Sequence, residues 1–279
     1  MISSIDIEKK IKAFITIEDI ISAMKAYAGG TIRKTEELVL NIRAYENNIL
    51  HALADLMTDY QGSSIQEQRG GKRILIAFGS SQGLCGPYNE KIADIVSDTL
   101  TDNDTLFIIG KRLKSSLELR HLTYDYLNDS IVSVNGIEEA LRETISKIMA
   151  IYKEKEYYNL AFIFTSISEN KAEISIEQVL PPDITKVHDL SPAKITPLTY
   201  LEPELIFNKA LEEFLYISLY RGFIESLRSE NWYRLRSMEG AAENIKRRIS
   251  DLDSLQKYIR QEEITEEMLE ILGSGMFYK

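Results

Sequence analysis

The sequence has few of the residues that build covalent or metal-based sites. Its 279 residues include one cysteine, Cys85, and three histidines. A single cysteine excludes an internal disulfide and is typical of proteins from a reducing compartment. The histidines have no metal-ligand spacing to one another or to Cys85. The sequence therefore predicts no disulfide framework, no metal site and no catalytic cysteine.

Basic residues are outnumbered by acidic ones, and long apolar runs are lacking. The chain carries 33 Lys and Arg against 43 Asp and Glu, a formal net charge of −10. Nucleic-acid binding depends on clustered basic side chains, so no nucleic-acid partner is expected. No apolar run approaches the ~20 residues that span a bilayer. Residues 1–12 carry charges where a signal peptide would be apolar. We predict no direct membrane insertion.

Proline is absent from both ends, since all six prolines lie between Pro87 and Pro203. A proline inside a helix costs about 3 kcal/mol, so both ends are free to form long helices. Apolar residues there recur in steps of three and four, the spacing of a coiled coil. The N-terminal stripe consists of Ile7, Ile11, Phe14, Ile17, Ile21, Met24, Ala28, Ile32, Leu38, Ile42, Tyr45, Ile49, Ala52 and Leu56. The C-terminal stripe consists of Leu235, Met238, Ala242, Ile245, Ile249, Leu252, Leu255 and Ile259. We predict that the two ends pair as an antiparallel left-handed coiled coil.

The middle of the chain alternates short apolar runs with polar helical stretches. The runs 73–78, 105–109, 160–165 and 174–180 predict strands, and 89–100 and 137–151 predict helices. This pattern indicates an α/β domain inserted between the two long terminal helices. The predicted domains are an N-terminal helix over 1–60, a Rossmann-like domain over 72–200 and a C-terminal helix over 204–279. Loops at 61–71 and 187–197 would lead into and out of the α/β domain.

Three stretches resemble the gamma subunit of F-type ATP synthases, in that family's order and spacing. The first is Ile7-Glu8-Lys9-Lys10-Ile11 followed by Ile20-Ile21-Ser22-Ala23-Met24. The second is Gly83-Leu84-Cys85-Gly86 with Asn89 beyond it. The third begins at Glu225-Ser226-Leu227, passes Arg234 and Met238, and reaches Arg260-Gln261, Ile264-Thr265 and Glu267. The polar positions of the third stretch are its specific part, because coiled-coil periodicity does not dictate them.

The resemblance implies a non-catalytic central rotor shaft without a cofactor. The shaft would turn inside a ring of alpha and beta subunits, beside an epsilon-type subunit and a membrane rotor ring. It would lie at the cytoplasmic face of a membrane, held there through the complex. Arg234, Gln261 and Thr265 match family positions that hydrogen-bond loops of the beta subunits. Arg260 and Glu267 belong to the same motif, and we include them as partner contacts.

Met24, Gly29 and Gly30 lie in the opening helix where the family carries small residues. Each glycine inside a helix costs about 1 kcal/mol relative to alanine, so a compensating interaction is expected. Close approach of a neighbouring chain would provide it. A local break or kink in the helix is the alternative interpretation.

Some features depart from the family pattern. Glu8 stands where the family has a basic residue, Gly30-Thr31 replaces its Ser-Lys pair, and Ser81-Gln82 replaces an acid and a base. Gamma subunits are also usually basic, whereas this chain is acidic. A conventional synthase subunit and a diverged paralogue in a specialised ATPase both remain open. A third reading is a nucleotide-binding α/β enzyme with helical arms. Against it, the glycines of residues 79–86 do not follow a phosphate-binding pattern, so we interpret this segment as a structural turn.

Overall fold

The computed structural model describes residues 4–59, 72–129, 133–155, 159–169, 171–183 and 200–275. Two long helices, α1 (Ser4–Asp59) and α5 (Pro203–Gly275), enclose the other elements in sequence. Between them lie, in chain order, β1 (Arg73–Phe78), α2 (Tyr88–Thr99), β2 (Asp104–Ile109), α3 (Lys111–Glu118), β3 (Tyr126–Asn128), α4 (Ile137–Lys155), β4 (Asn159–Ser168) and β5 (Lys171–Leu180). The predicted loops 61–71 and 187–197 lie outside the described residues.

The five strands form one mixed sheet in the order β3-β2-β1-β4-β5. The strands β1 to β4 pair in parallel, whereas β5 runs antiparallel to β4. The four predicted strands are present as β1, β2, β4 and β5. Sequence periodicity did not reveal α3 and β3, because eight and three residues are too few to display it.

The described chain divides into two compact units. The larger unit is Gly30–Tyr233, and the smaller unit contains α1 up to Gly29 and α5 from Arg234 onward. Both boundaries fall inside helices, so α1 and α5 each contribute to both units.

Within the larger unit the sheet is covered on both faces. Alternate residues of β1 point to opposite sides, as a strand requires: Ile74, Ile76 and Phe78 lie in one apolar cluster and Leu75 and Ala77 in the other. The first cluster also contains residues of α1, α4 and α5, and the second contains residues of α2 and α3. Burial on both faces explains why β1 reads as a continuous apolar run.

The buried face of α1 in the larger unit differs from the predicted stripe. Val39 and Leu53 are buried instead of their neighbours Leu38 and Ala52. Glu46 is 8% exposed, whereas its neighbour Tyr45 is 46% exposed. The prediction followed apolar residues only and therefore missed buried positions that are polar. The Glu46 carboxylate pairs with Arg221 and accepts a hydrogen bond from Ser218, and these contacts offset the cost of burying it.

Helix α5 passes very close to strand β1 at Gly222. A Cβ atom at this position would lie 2.6 Å from Cζ of Phe78. The Phe78 ring is fully buried and meets Phe162 and Phe223 edge-on, with ring centroids 5.4 and 5.2 Å away. Glycine at position 222 is therefore required by the close approach of helix and ring.

Candidate functional site: helix pairing and exposed partner positions

Ion pairs connect α1 and α5 within the larger unit. Arg228 lies 3.3 Å from Glu36, Arg43 pairs with Glu225, and Nε of Arg221 lies 2.6 Å from a carboxylate oxygen of Glu46. The partner numbers on α5 fall as those on α1 rise. The two helices are therefore antiparallel in this unit.

Arg221 of α5 contacts three other elements of the larger unit. Its side chain is 6% exposed and reaches Glu46 on α1 and, at 2.7 Å, Glu177 on β5. Its guanidinium carbon lies 5.3 Å from the ring centroid of Phe164 on β4. Burial by itself would lower the pKa of Arg221, but the two carboxylates outweigh burial and raise it. The hydroxyl of Ser218 donates to the other oxygen of Glu46 at 2.6 Å.

The smaller unit also brings the two helices together in opposite directions. The backbone N–H of Ser4 donates to the Glu263 carboxylate at 3.4 Å, so the start of α1 lies beside the last part of α5. Ile7, Ile21 and Ala28 of the predicted stripe are buried. Their spacing of 14 and 7 residues places them on one side of a helix with a heptad pattern.

The predicted partner positions near the end of α5 are accessible. Arg260, Gln261, Thr265 and Glu267 are all exposed. The Thr265 hydroxyl donates to the backbone oxygen of Gln261 at 2.8 Å, so its oxygen keeps acceptor capacity for another chain. Arg234 differs, because it is only 2% exposed. A partner could reach little of that guanidinium without a rearrangement.

The glycine pair of α1 does not interrupt its helix. Gly29 and Gly30 lie inside the continuous span Ser4–Asp59, so the helix does not break there, and a kink, the other form of the predicted alternative, stays a prediction. A Cβ added at either position would meet nothing within 4 Å. Met24, one turn or more earlier, is half-buried. Contacts within the described part of the chain therefore give no reason for glycine at 29 and 30.

An exposed apolar surface lies next to the polar candidates, and sequence reasoning did not identify it. Its members are large side chains of α5 that are 50–70% exposed: Ile264, Met268, Leu269, Ile271 and Leu272. Contiguous exposed apolar surface is typical of contacts with other chains. The signal was available in the sequence, because the apolar spacing loses its heptad order after Ile259.

The glycine-rich turn after β1 is held by its own side chains. The Ser80 N–H donates to Oδ1 of Asn89 at 2.9 Å, and Nδ2 of Asn89 donates back to the Ser80 hydroxyl at 2.8 Å. Cys85 is buried, and Leu84 adopts a positive φ of 66°. These contacts give the segment a structural role in fixing the turn before α2.

Among the described residues, no group of three or more His, Cys, Asp or Glu side chains is placed to hold a metal ion. No helix in the described part of the chain is long and apolar enough to cross a membrane. Buried charges join helices to each other and to the sheet, while polar and apolar side chains are exposed near the end of α5. Exposed polar and apolar side chains grouped on one helix are typical of a subunit that contacts other chains.

A protein-family model described as ATP synthase matches residues 3–276, and the chain belongs to that family. It is 27% identical to the ATP synthase gamma chain of Geotalea uraniireducens over 99% of this chain and 98% of the relative. It is 26% identical to the sodium ion specific ATP synthase gamma chain of Acetobacterium woodii, over 97% of both chains.

The fold is also that of solved ATP synthase structures. The chain aligns with one chain of the rotor of the Euglena gracilis mitochondrial ATP synthase with a TM-score of 0.61, at 16% identity, over 94% of this chain and 98% of that one. At that level of identity the likeness concerns the fold alone.

Proposed function

We propose that the chain is the central rotor shaft of a rotary F-type ATPase. It couples ATP synthesis or hydrolysis in a surrounding alpha/beta ring to rotation and to ion transport or other mechanical work. The observation that carries this function is the family match over residues 3–276, with gamma chains as relatives along the whole length. The subunit is non-catalytic, and the nucleotide-binding enzyme reading loses its support.

A shaft must be long and resist twisting. We propose that residues 1–60 and 204–279 form an antiparallel left-handed coiled coil and that 72–200 form a Rossmann-like domain. The antiparallel order of ion pairs, the Ser4 to Glu263 contact and the heptad spacing of buried α1 residues support the coiled coil. An asymmetric shaft of this kind can favour a different state in each surrounding catalytic subunit as it turns.

Crosslinking checks the helix pairing. In a chain with Cys85→Ser, Ser4→Cys and Glu263→Cys should be joined within one molecule by a short bis-maleimide reagent. The Ser4 N–H lies 3.4 Å from the Glu263 carboxylate, which sets the expected proximity. The control pair is Ser4→Cys with Ser237→Cys. Position 237 is 26 residues from Glu263 along α5, so this pair should remain unlinked. Dimers in place of an intramolecular product would contradict the pairing and indicate a parallel homodimer.

The partners proposed for this shaft are the alpha and beta subunits, an epsilon-type subunit and a membrane rotor ring. The protein is a peripheral part of a membrane-bound ATP synthase, and we propose that it lies on the cytoplasmic face. The exposed polar residues Arg260, Gln261, Thr265 and Glu267 are proposed to contact the ring, together with the adjacent apolar surface of α5. Because Arg234 is buried, we propose that it acts on the ring only after rearrangement or through its neighbours.

We also propose that Met24, Gly29 and Gly30 contact a partner. In the isolated chain, Gly29→Ala and Gly30→Ala should each raise the free energy of unfolding by up to about 1 kcal/mol, because alanine favours the helix and its Cβ meets nothing. Urea denaturation would measure this. If a partner backbone approaches these glycines, the same variants should assemble less well with the ring. Normal assembly of the double variant would contradict the contact.

Direct observation of rotation tests the function. Leu119 is 82% exposed, so Leu119→Cys offers an attachment point for a bead on the larger unit. In a complex immobilised through its beta subunits, ATP should drive continuous rotation of the bead. A bead that stays still while the complex hydrolyses ATP would contradict the shaft function. The subunits that copurify with the chain would distinguish a conventional synthase from a specialised paralogue.

A further inference from the structure

We propose that six charged side chains form a lock that fixes the register of α1 against α5, and that coupling of ATP hydrolysis to ion transport requires this lock. The set, called the charge ladder below, consists of Glu36, Arg43 and Glu46 on α1 with Arg228, Glu225 and Arg221 on α5. The inference rests on the proposed shaft function and adds to it the residues that position the two helices.

The order of the charges selects one register. Along α1 the signs are negative, positive, negative, and the partners on α5 are positive, negative, positive. If α5 slid by about one helical turn, Glu225 would leave Arg43 and move opposite Glu46, while Arg221 and Arg228 would leave their carboxylates. Two carboxylates would then face each other where both side chains are at most 10% exposed, which is strongly unfavourable.

Apolar packing alone discriminates less between registers. The buried residues Val39, Ile42, Ile49 and Leu53 recur every few positions along α1, so a slide by one turn replaces one aliphatic contact with another. Charges do not interchange in this way. A polar or ionic group in a helix seam is best known for specifying register at some cost in stability.

The burial of part of the ladder fits this role better than a role in stability. The ladder side chains of Glu46, Arg221, Glu225 and Arg228 are at most 14% exposed, whereas Glu36 and Arg43 are 57% and 48% exposed. The Glu225 side chain is fully buried, and its oxygen Oε2 has no hydrogen-bond partner. Removing charges from water is costly, and apolar residues in place of a buried ion pair often give an equally stable protein. A purely stabilising contact would not leave a buried carboxylate oxygen unpaired.

Arg221 extends the lock to the sheet. Its second carboxylate partner, Glu177, lies on β5, and its guanidinium lies over Phe164 of β4. If α5 slid or turned relative to α1 in the larger unit, Arg221 would have to leave Glu46, Glu177 or both. The ladder thus holds two helices and the sheet in one arrangement, which a torque-bearing element needs.

The test uses the assembled ATPase in membrane vesicles. The variant combines Glu46→Leu, Glu177→Leu and Arg221→Met and is called charge-free because it removes every charge of the Arg221 cluster. Thermal melting of the chain, ATP hydrolysis and ATP-driven proton or sodium uptake are measured. We expect near-normal melting and continued hydrolysis but loss of ion uptake. The matched control is Arg120→Met, which breaks an arginine–aspartate pair between the turn after α3 and helix α2 and should keep both activities. Ion uptake by the charge-free variant equal to that of the unmodified complex would overturn the proposal.

A charge exchange provides a second, independent variant. Arg228→Glu places a carboxylate opposite Glu36 and should reduce ion uptake, and adding Glu36→Arg should restore it. The charge exchange tests the lock even if the charge-free chain does not fold. A folded double variant that restores no ion uptake would overturn the lock. A failure of the unmodified complex to couple hydrolysis to uptake would instead reject the shaft function, so the two failures are distinguishable.

Discussion

Phe78→Ala is expected to lower the free energy of unfolding of the isolated chain by about 3–5 kcal/mol. The ring is fully buried between α5 and the sheet and makes two edge-on aromatic contacts. Its removal would leave a cavity beside Gly222 of α5, where a Cβ atom would lie 2.6 Å from the ring. Urea denaturation followed by circular dichroism would measure the loss.

The same contact predicts a dependence between two positions. Gly222→Ala should destabilise the chain by about 1–3 kcal/mol through overpacking against the Phe78 ring. Combining it with Phe78→Leu, which shortens that side chain, should cost less than the sum of the two single changes. Gly240→Ala is the control on the same helix, because its Cβ would meet nothing within 4 Å, and it should be neutral or stabilising. Strict additivity at 78 and 222 would show that the ring does not limit the approach of α5.

The second large effect concerns activity. The double substitution Arg260→Ala and Gln261→Ala should reduce ATP turnover or torque of the assembled complex about tenfold or more, if each side chain makes a hydrogen bond to a beta subunit. Both residues are exposed in the chain itself, so the free energy of unfolding should change by less than about 0.5 kcal/mol. Turnover and rotation assays on the complex, with melting of the isolated chain, measure the two quantities separately.

The control for this prediction is Arg247→Ala with Arg248→Ala, an equally exposed pair on α5 outside the proposed contact. It should leave turnover and torque unchanged. Full activity of the Arg260 and Gln261 double variant would reject these residues as ring contacts. A large fall in its melting temperature would assign them a structural role instead.

The sequence by itself determined the elements whose pattern is long or strong. The confinement of proline to the middle and the repeated apolar spacing indicated α1 and α5, and continuous apolar runs indicated β1 and β4. The polar motif around Arg260 indicated the family, because residues that no periodicity requires are informative about common ancestry. The exposure of Arg260, Gln261, Thr265 and Glu267 is compatible with the partner contacts proposed from that motif, which still await a test.

Only the tertiary structure decided which polar residues are buried and what they join. Glu46, Arg221 and Glu225 are charged residues, a type that is rarely buried without a partner, and each is buried against a partner from a distant part of the chain. The same holds for the burial of Arg234 and for glycine at 222. The local apolar pattern predicts which face of a helix or strand is buried. It does not record which opposite charge or which ring the fold brings there, because that depends on the pairing of segments more than a hundred residues apart.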